Sequence, residues 1–274
     1  MILPLRTETG YTDMMYFDSH AHYYDDRFAE EYEGGADALL SLCLGKSVSA
    51  IINVGTCPET CRLAAEQARR YENMYTALGL HPSDSRLVED IDAALAEIEE
   101  MIADKSNKCL ALGEIGLDYH YPDTDKERQI AIFHRQMAMA ERLGLPVVIH
   151  DRDAHEDVMT VVRAYPGVKG VFHSFSGSCE MAAELVKLGY MISLSGTVTF
   201  KNARKPKEVA ASVPSDRLLI ETDCPYLAPH PLRGTLNHSG NLEYTCREIA
   251  AIRGISEEEC AALTDKNARR FFGI

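Results

Sequence analysis

Positive charge is scarce in this sequence. Its 274 residues include 28 lysines and arginines against 42 aspartates and glutamates, which gives a formal net charge of −14. A protein that holds a polyanion by counterion release carries a basic stripe, and this balance argues against one. A substrate that bears phosphate would therefore need a local source of positive charge, such as bound metal ions.

Targeting and redox signals are also lacking. The first residues contain no apolar run of signal-peptide length, and no stretch of the chain is fit to cross a bilayer. The eight cysteines have neither zinc-finger nor redox spacing, so we expect buried, reduced thiols. We predict a cytoplasmic protein with no membrane contact, and the sequence indicates no stable protein partner.

What is present is an ordinary globular mixture. Hydrophobic residues make up 46% of the chain and charged residues 26%, which is enough apolar material for a sizeable core. No linker, charge block or change of composition marks a domain boundary. We predict one domain over residues 15–274, preceded by an N-terminal extension, residues 1–14.

Short apolar runs alternate with longer amphipathic segments along the chain, and continuously hydrophobic strands are typical of a parallel sheet covered on both faces. The predicted strands are residues 16–19, 50–54, 74–80, 109–112, 146–149, 170–172, 190–193 and 218–221. The named helical patterns are residues 59–70, 91–103, 126–143, 181–188, 243–252 and 257–271. Eight such strands predict an α/β protein of the (β/α)8 TIM-barrel type. A doubly wound open sheet has little support, because no G-x-G-x-x-G opens a first helix.

Five of the predicted strands end in side chains that bind metals. In a barrel these ends meet at one face, so we expect the side chains to lie together. Any one of them alone could be a satisfied strand-end residue, but four imidazoles and two carboxylates together form a donor set for divalent metals. The six residues are His20, His22, Glu114, His150, His173 and Asp223.

Six donors are too many for one tetrahedral ion that keeps an open position, and they suit two ions that share a carboxylate. Strands one and eight are neighbours in a barrel, which assigns His20, His22 and Asp223 to the first ion. Strands five and six are neighbours too, which assigns His150 and His173 to the second, with Glu114 bridging. Two such ions would activate a water for attack on an ester, with Asp223 as general base. The metal stays open among Zn, Mn, Co and Mg.

Three further residues are expected to support the ligands. Asp18 has the same strand parity as the two histidines of strand one, and Arg152 and Asp153 directly follow His150. Residues in such positions commonly orient the groups that bind a metal.

The sequence resembles the TatD-type metal-dependent deoxyribonucleases, within the amidohydrolase-like barrels. The resemblance covers Asp18 to Gly234, and it implies that the six residues above are the metal ligands. Two departures are Ser174, where a cysteine is expected, and the stretch after Arg233-Gly234, where many relatives have Asn-Glu-Pro. The stretches that carry the resemblance are DSHAH, GLHP, GEIGLDY, VIHDRDAHED, HSFSG, SLSGTVTFKNA and IETDCPYLAP followed by RG.

Candidate substrate contacts lie in loops that follow other strands. They are His81, Lys201, Asn202 and Arg233, of which Lys201 belongs to a basic run that continues at residues 204, 205 and 207. A solvated helix start explains that run equally well. The sequence shows no aromatic–basic track for stacking bases. Some loop aromatics could stack bases, although such residues more often pack the rim: Tyr23, Tyr24, Tyr119, Phe200 and Tyr226.

The resemblance implies hydrolysis of DNA phosphodiesters, by an exonuclease that favours single strands. The residues themselves support metal-assisted hydrolysis of a phosphate or a carboxylic ester, so a D-aminoacyl-tRNA deacylase is the alternative. RNA is a further possible substrate. A non-catalytic metal-binding barrel is a remote alternative, since all six ligand positions are intact. A one-metal deaminase ranks lower because such barrels lack a bridging glutamate.

Overall fold

The eight strands form one parallel sheet in sequence order, in a computed structural model that describes residues 14–274. Apart from Met14, the predicted extension over residues 1–14 lies outside the described residues. The strands are β1 Tyr16–Ala21, β2 Val48–Gly55, β3 Met74–Leu78, β4 Cys109–Asp118, β5 Val147–Arg152, β6 Gly170–Phe172, β7 Met191–Leu194 and β8 Leu218–Ile220.

The sheet closes on itself between β8 and β1. The backbone N–H of Asp223 donates to the carbonyl of His20 at 2.9 Å, and the N–H of His22 donates to the carbonyl of Cys224 at 2.8 Å. With helices between successive strands, the fold is the predicted (β/α)8 barrel.

Ten α-helices are present in the described residues. They are α1 Arg27–Glu31, α2 Gly35–Cys43, α3 Pro58–Arg70, α4 Ile91–Ala103, α5 Lys126–Leu143, α6 His155–Ala164, α7 Cys179–Lys187, α8 Arg204–Ser212, α9 Leu242–Arg253 and α10 Glu257–Phe272. The bounds of two helices, α4 and α5, match the predictions. The sequence analysis does not predict the short α1 and α2, which follow β1.

The core has two layers. Residues from all eight strands pack together inside the barrel, among them Phe17 of β1 and Val148 of β5. The ring of Phe272 stacks on Phe17 with centroids 6.0 Å apart, so α10 closes the end of the barrel where the strands begin. A larger cluster packs between the outside of the sheet and the helices. Among residues 14–274, no helix combines the length and the apolar character needed to span a membrane.

Two glycines let β4 and β5 approach closely beside the site. A Cβ on Gly113 would lie 2.6 Å from the Cβ of Val148, and one on Gly116 would lie 2.0 Å from the carbonyl oxygen of His150. Gly116 also has φ +134°, which L side chains rarely adopt. The GEIG motif is therefore a packing requirement around Glu114. It lies inside β4, which continues to Asp118 instead of ending at residue 112 as predicted.

Candidate metal centre

The six predicted ligands converge at the end of the barrel where the strands finish. Two atom clusters are formed, one around each carboxylate oxygen of Glu114. In the first, His20 Nε2 lies 3.3 Å from Glu114 Oε2 and 3.0 Å from His22 Nε2. Asp223 Oδ1 completes it, at 3.3 Å from His22 Nε2. These are the three residues that the sequence assigns to one ion, together with one oxygen of the glutamate.

The second cluster contains the other two histidines. His150 Nδ1 lies 2.7 Å from Glu114 Oε1, and His173 Nε2 lies 2.8 Å from the same oxygen. The two ring nitrogens are 3.1 Å apart. Each carboxylate oxygen of Glu114 therefore faces a different cluster of donor atoms.

The hydrogen-bond partners of the histidine rings indicate that these clusters can hold cations. His22 Nδ1 lies 2.8 Å from the carbonyl of Val54, which only accepts, so the ring hydrogen is on Nδ1 and the lone pair is on Nε2. His173 Nδ1 lies 3.3 Å from a carboxylate oxygen of Glu221 and its Nε2 lies 2.8 Å from Glu114 Oε1, so carboxylates lie against both ring nitrogens. Ring nitrogens and carboxylates that converge in this way need a cation between them, either a proton or a metal ion. The donor set therefore fits divalent metal ions.

Burial and neighbouring charges set the protonation of the donors. Burial raises the pKa of Glu114, but the imidazoles of His173, His81 and His20 outweigh it and hold the pKa well below the ordinary value. The pKa of Asp223 is also lowered, because the hydrogen bond and charge of His22 and the other imidazoles outweigh burial. Burial lowers the pKa of His20, whereas at His173 burial is outweighed by Glu114 and Glu221, which raise the pKa of that ring well above its ordinary value. Ionised carboxylates and a neutral imidazole are the forms that bind metals.

Two carboxylates that the sequence analysis missed lie against the ligand rings. Glu221 is fully buried, and its Oε1 accepts from the Ser174 N–H at 2.7 Å as well as from His173. Asp118 Oδ2 lies 3.5 Å from His150 Nε2, and the Ser83 hydroxyl donates to the same oxygen at 3.1 Å. The contact with Glu221 fixes the His173 ring and makes its other nitrogen more basic, whereas His150 Nε2, at 3.5 Å from Asp118, makes no hydrogen bond. In the sequence, each of the two carboxylates follows apolar strand residues, and this signal could have identified them.

Of the three residues expected to support the ligands, Arg152 and Asp153 are exposed and Asp18 is buried. Asp153 is 67% exposed and pairs with His120, at 3.3 Å between Oδ2 and Nδ1, and Arg152 is also exposed. Asp18 binds the segment that carries Asp223: its Oδ2 accepts from the hydroxyls of Thr222 at 2.6 Å and of Ser239 at 2.7 Å. A register irregularity after Asp18 breaks the expected alternation along β1. Burial raises the pKa of Asp18 to about 6.

His81 lies beside the second cluster as a donor. The Ser83 N–H donates to its Nδ1 at 3.1 Å, so the ring hydrogen is on Nε2, which lies 3.5 Å from Glu114 Oε1. A nitrogen that carries a hydrogen has no lone pair to offer a metal. His81 therefore presents an N–H to the site.

The turn after β8 shapes the first cluster. Asp223 has φ +56°, a left-handed conformation that is strained for a residue other than glycine. The buried Asn237 side chain stabilises the turn, since its amide donates to the carbonyls of Thr222 at 2.9 Å and Tyr226 at 2.7 Å. Asn237 lies in the stretch where the sequence departs from many relatives, and its Oδ1 also accepts from the side-chain amide of Asn241 at 3.0 Å.

The predicted substrate contacts in the loops differ from the rest of the basic run in their exposure and pairing. Lys201 and Asn202 are exposed in the loop before α8. Arg233 is exposed in the loop after β8, with its guanidinium 4.2 Å from the ring centroid of Phe200. In the rest of the basic run, Arg204 Nε pairs with Glu208 at 2.7 Å and Lys207 Nζ with Glu248 at 2.8 Å. Those two residues match the solvated helix start.

Comparisons with known proteins agree with this geometry. A family model described as "TatD related DNase" matches residues 17–273. The chain is 41% identical to the "Uncharacterized metal-dependent hydrolase YabD" of Bacillus subtilis, over 95% of this chain and 100% of that one. It is 35% identical to the "Uncharacterized metal-dependent hydrolase TatD" of Mycobacterium tuberculosis, over 94% and 97% of the two chains.

A solved structure has the same fold over almost the whole length. The crystal structure of YjjV, a TatD homologue from Escherichia coli, superposes with a TM-score of 0.88 and 29% identity, over 96% of this chain and 100% of that chain. The resemblance seen in the sequence is confirmed. The chain belongs to the TatD family and is a metal-dependent hydrolase.

Proposed function

We propose that the protein is a deoxyribonuclease that hydrolyses phosphodiesters from an end of single-stranded DNA, with two divalent ions held by the six ligands. The observation that carries this proposal is the position of Glu114 between two clusters of donors, each with at least two further donor side chains. A pair of cations would supply the positive charge that the acidic chain lacks. The description of the matched family, "TatD related DNase", supports DNA as the substrate.

When bound, the ions would activate a water and neutralise charge on the phosphate. Asp223, 15% exposed and held ionised by the surrounding imidazoles, accepts the proton of the attacking water. Glu114 holds the two cation positions together. His81 donates its Nε2 hydrogen to a phosphate oxygen, and Lys201, Asn202 and Arg233 contact the strand farther out.

The test uses chelator-treated protein and a single-stranded oligonucleotide labelled separately at each end. Mg²⁺, Mn²⁺ or Zn²⁺ is added back, and shortening is followed on a gel. We expect metal-dependent shortening, with the two labels giving the polarity of digestion. Glu114→Gln should lower the rate at least about 100-fold, because an amide cannot bridge two cations as a carboxylate does.

Glu33→Gln, at an exposed position, is the matched control and should keep the wild-type rate. An oligonucleotide that stays intact with every metal would refute the nuclease proposal. Release of the amino acid from D-aminoacyl-tRNA, with the RNA unshortened, would then establish the carboxylic-ester alternative.

The cytoplasmic location is also a proposal. All eight cysteines are unpaired thiols, five of them buried. Unpaired thiols are typical of proteins in reducing compartments.

A further inference from the structure

Three cation–aromatic pairs join segments that follow different strands, at the end of the barrel where the strands finish. The two residues of each pair are far apart in the sequence, so spacing gave no sign of them. The pairs, with their distances from cation to ring centroid, are Arg27 with Tyr226 at 5.7 Å, Arg86 with Tyr121 at 6.0 Å and Arg233 with Phe200 at 4.2 Å.

Tyr226 lies beside the first cluster of ligands. Its ring centroid is 6.4 Å from that of His22, and the two rings are inclined at 67°. Its backbone N–H donates to the carbonyl of Asp223 at 2.9 Å, three residues earlier in the same turn. The Tyr226 ring is therefore next to the ring of His22, and its backbone belongs to the same turn as Asp223.

The ring is held in place but is not covered. The Tyr226 hydroxyl donates to Asp25 Oδ2 at 2.6 Å, and Arg27, which lies over the ring, is itself paired with Glu31 at 2.7 Å. The side chain is nevertheless 46% exposed, one of the largest apolar exposures in the described residues. A fixed aromatic ring that remains open to solvent is ready to stack without paying an ordering cost.

We propose that Tyr226 is the stacking platform for the base next to the scissile phosphate, and that Phe200 with Arg233 stacks a second base farther along the strand. This inference rests on the proposed function and specifies its substrate as an unpaired polynucleotide. Every base has a π-face, so stacking holds a strand regardless of its sequence, and an unpaired strand leaves those faces accessible. Stacking also needs no net positive surface, which suits this acidic chain.

The test compares two decamers that carry the same charge. One is (dT)10, and the other has the same sugar–phosphate backbone with abasic residues and hence nothing to stack. Tyr226→Leu keeps apolar bulk but removes the ring. We expect it to raise KM for (dT)10 about tenfold, with a much smaller change for the abasic decamer. Tyr226→Phe keeps the ring and should retain most of the affinity.

Tyr244→Leu is the matched control, because Tyr244 also pairs with an arginine at 5.7 Å, but that arginine, Arg247, belongs to the same helix, α9. It should change neither KM. An equal effect of Tyr226→Leu on both decamers, or none on (dT)10, would overturn the inference while the nuclease stands. Wild-type protein that cleaves neither decamer would remove the proposed function, and the inference with it.

Discussion

A single buried carboxylate, Glu221, contacts His173, a predicted ligand of the second cluster. Its Oε1 lies 3.3 Å from His173 Nδ1, while Nε2 of the same ring lies 2.8 Å from Glu114 Oε1. Glu221→Gln keeps an oxygen acceptor but removes the charge that makes the imidazole basic. We expect metal affinity to fall about 10- to 100-fold. Equilibrium dialysis followed by metal analysis measures this directly, without reference to activity.

Glu33→Gln again serves as the exposed control and should bind metal like the wild type. The variant must also keep its circular dichroism spectrum, so that a loss of metal is not a loss of fold. Unchanged metal affinity in folded Glu221→Gln would show that the contact with His173 does not tune the ligand.

At the residue scale, the sequence predicted the groups that interrupt an apolar pattern and missed those defined by a partner. His150 and His173 stand out because each directly follows a run of buried strand residues. The roles of Glu221 and Asp118 depend on which ring lies opposite, and that partner belongs to another strand. Spacing along the chain carries no information about such a contact.

At the scale of the element, Gly116 allows β4 to lie against β5. A methyl group there would meet the carbonyl oxygen of His150 at 2.0 Å, in a backbone conformation with φ +134°. Gly116→Ala should therefore lower the free energy of unfolding by more than about 3 kcal/mol, since it combines a clash with strain. Urea denaturation of the chelator-treated protein measures the change.

Gly254→Ala separates the two causes. Gly254 has φ +67° with no atom within 4 Å of the added Cβ, so only backbone strain remains. It should cost about 1 kcal/mol. Similar losses in both variants would mean that β5 yields to the methyl group and that the close approach is not required.

Element positions were predictable to the extent that they follow hydrophobic periodicity. The long amphipathic α5 has its predicted bounds, whereas β4 runs six residues beyond its predicted end at residue 112, to Asp118. The reason is that β4 includes Gly113, Glu114 and Gly116, which are residues that an apolar pattern excludes from a strand. They are strand residues here because close packing and the candidate metal centre both require them.

At the scale of the whole molecule, the order of the strands was predictable because parallel strands joined by helices leave few topologies. The mouth of the barrel was not predictable, since it is assembled from separate loops. Arg27 lies in α1 and Tyr226 follows β8, and only the closure of the barrel brings them to 5.7 Å. Closure of the barrel therefore creates an arrangement of aromatic and basic side chains that the sequence analysis did not find.

Because the chain is acidic, we expect substrate binding to depend only weakly on salt concentration. With a net charge of −14, the chain has few cations to offer a DNA strand, and the proposed contacts include two of them, Lys201 and Arg233. Each cation that neutralises a phosphate of a single strand contributes about −0.7 to the slope of log affinity against log salt. At saturating metal, the slope of log(1/KM) for (dT)10 should therefore be about −1.4.

Arg233→Gln should make that slope shallower by about 0.7. Arg204→Gln is the matched control, because Arg204 is already paired with Glu208 on α8, and it should leave the slope unchanged. A slope steeper than about −5 would mean that many surface cations contact the strand. The strand would then be held by distributed charge, and not by the candidate metal centre and a few loop residues.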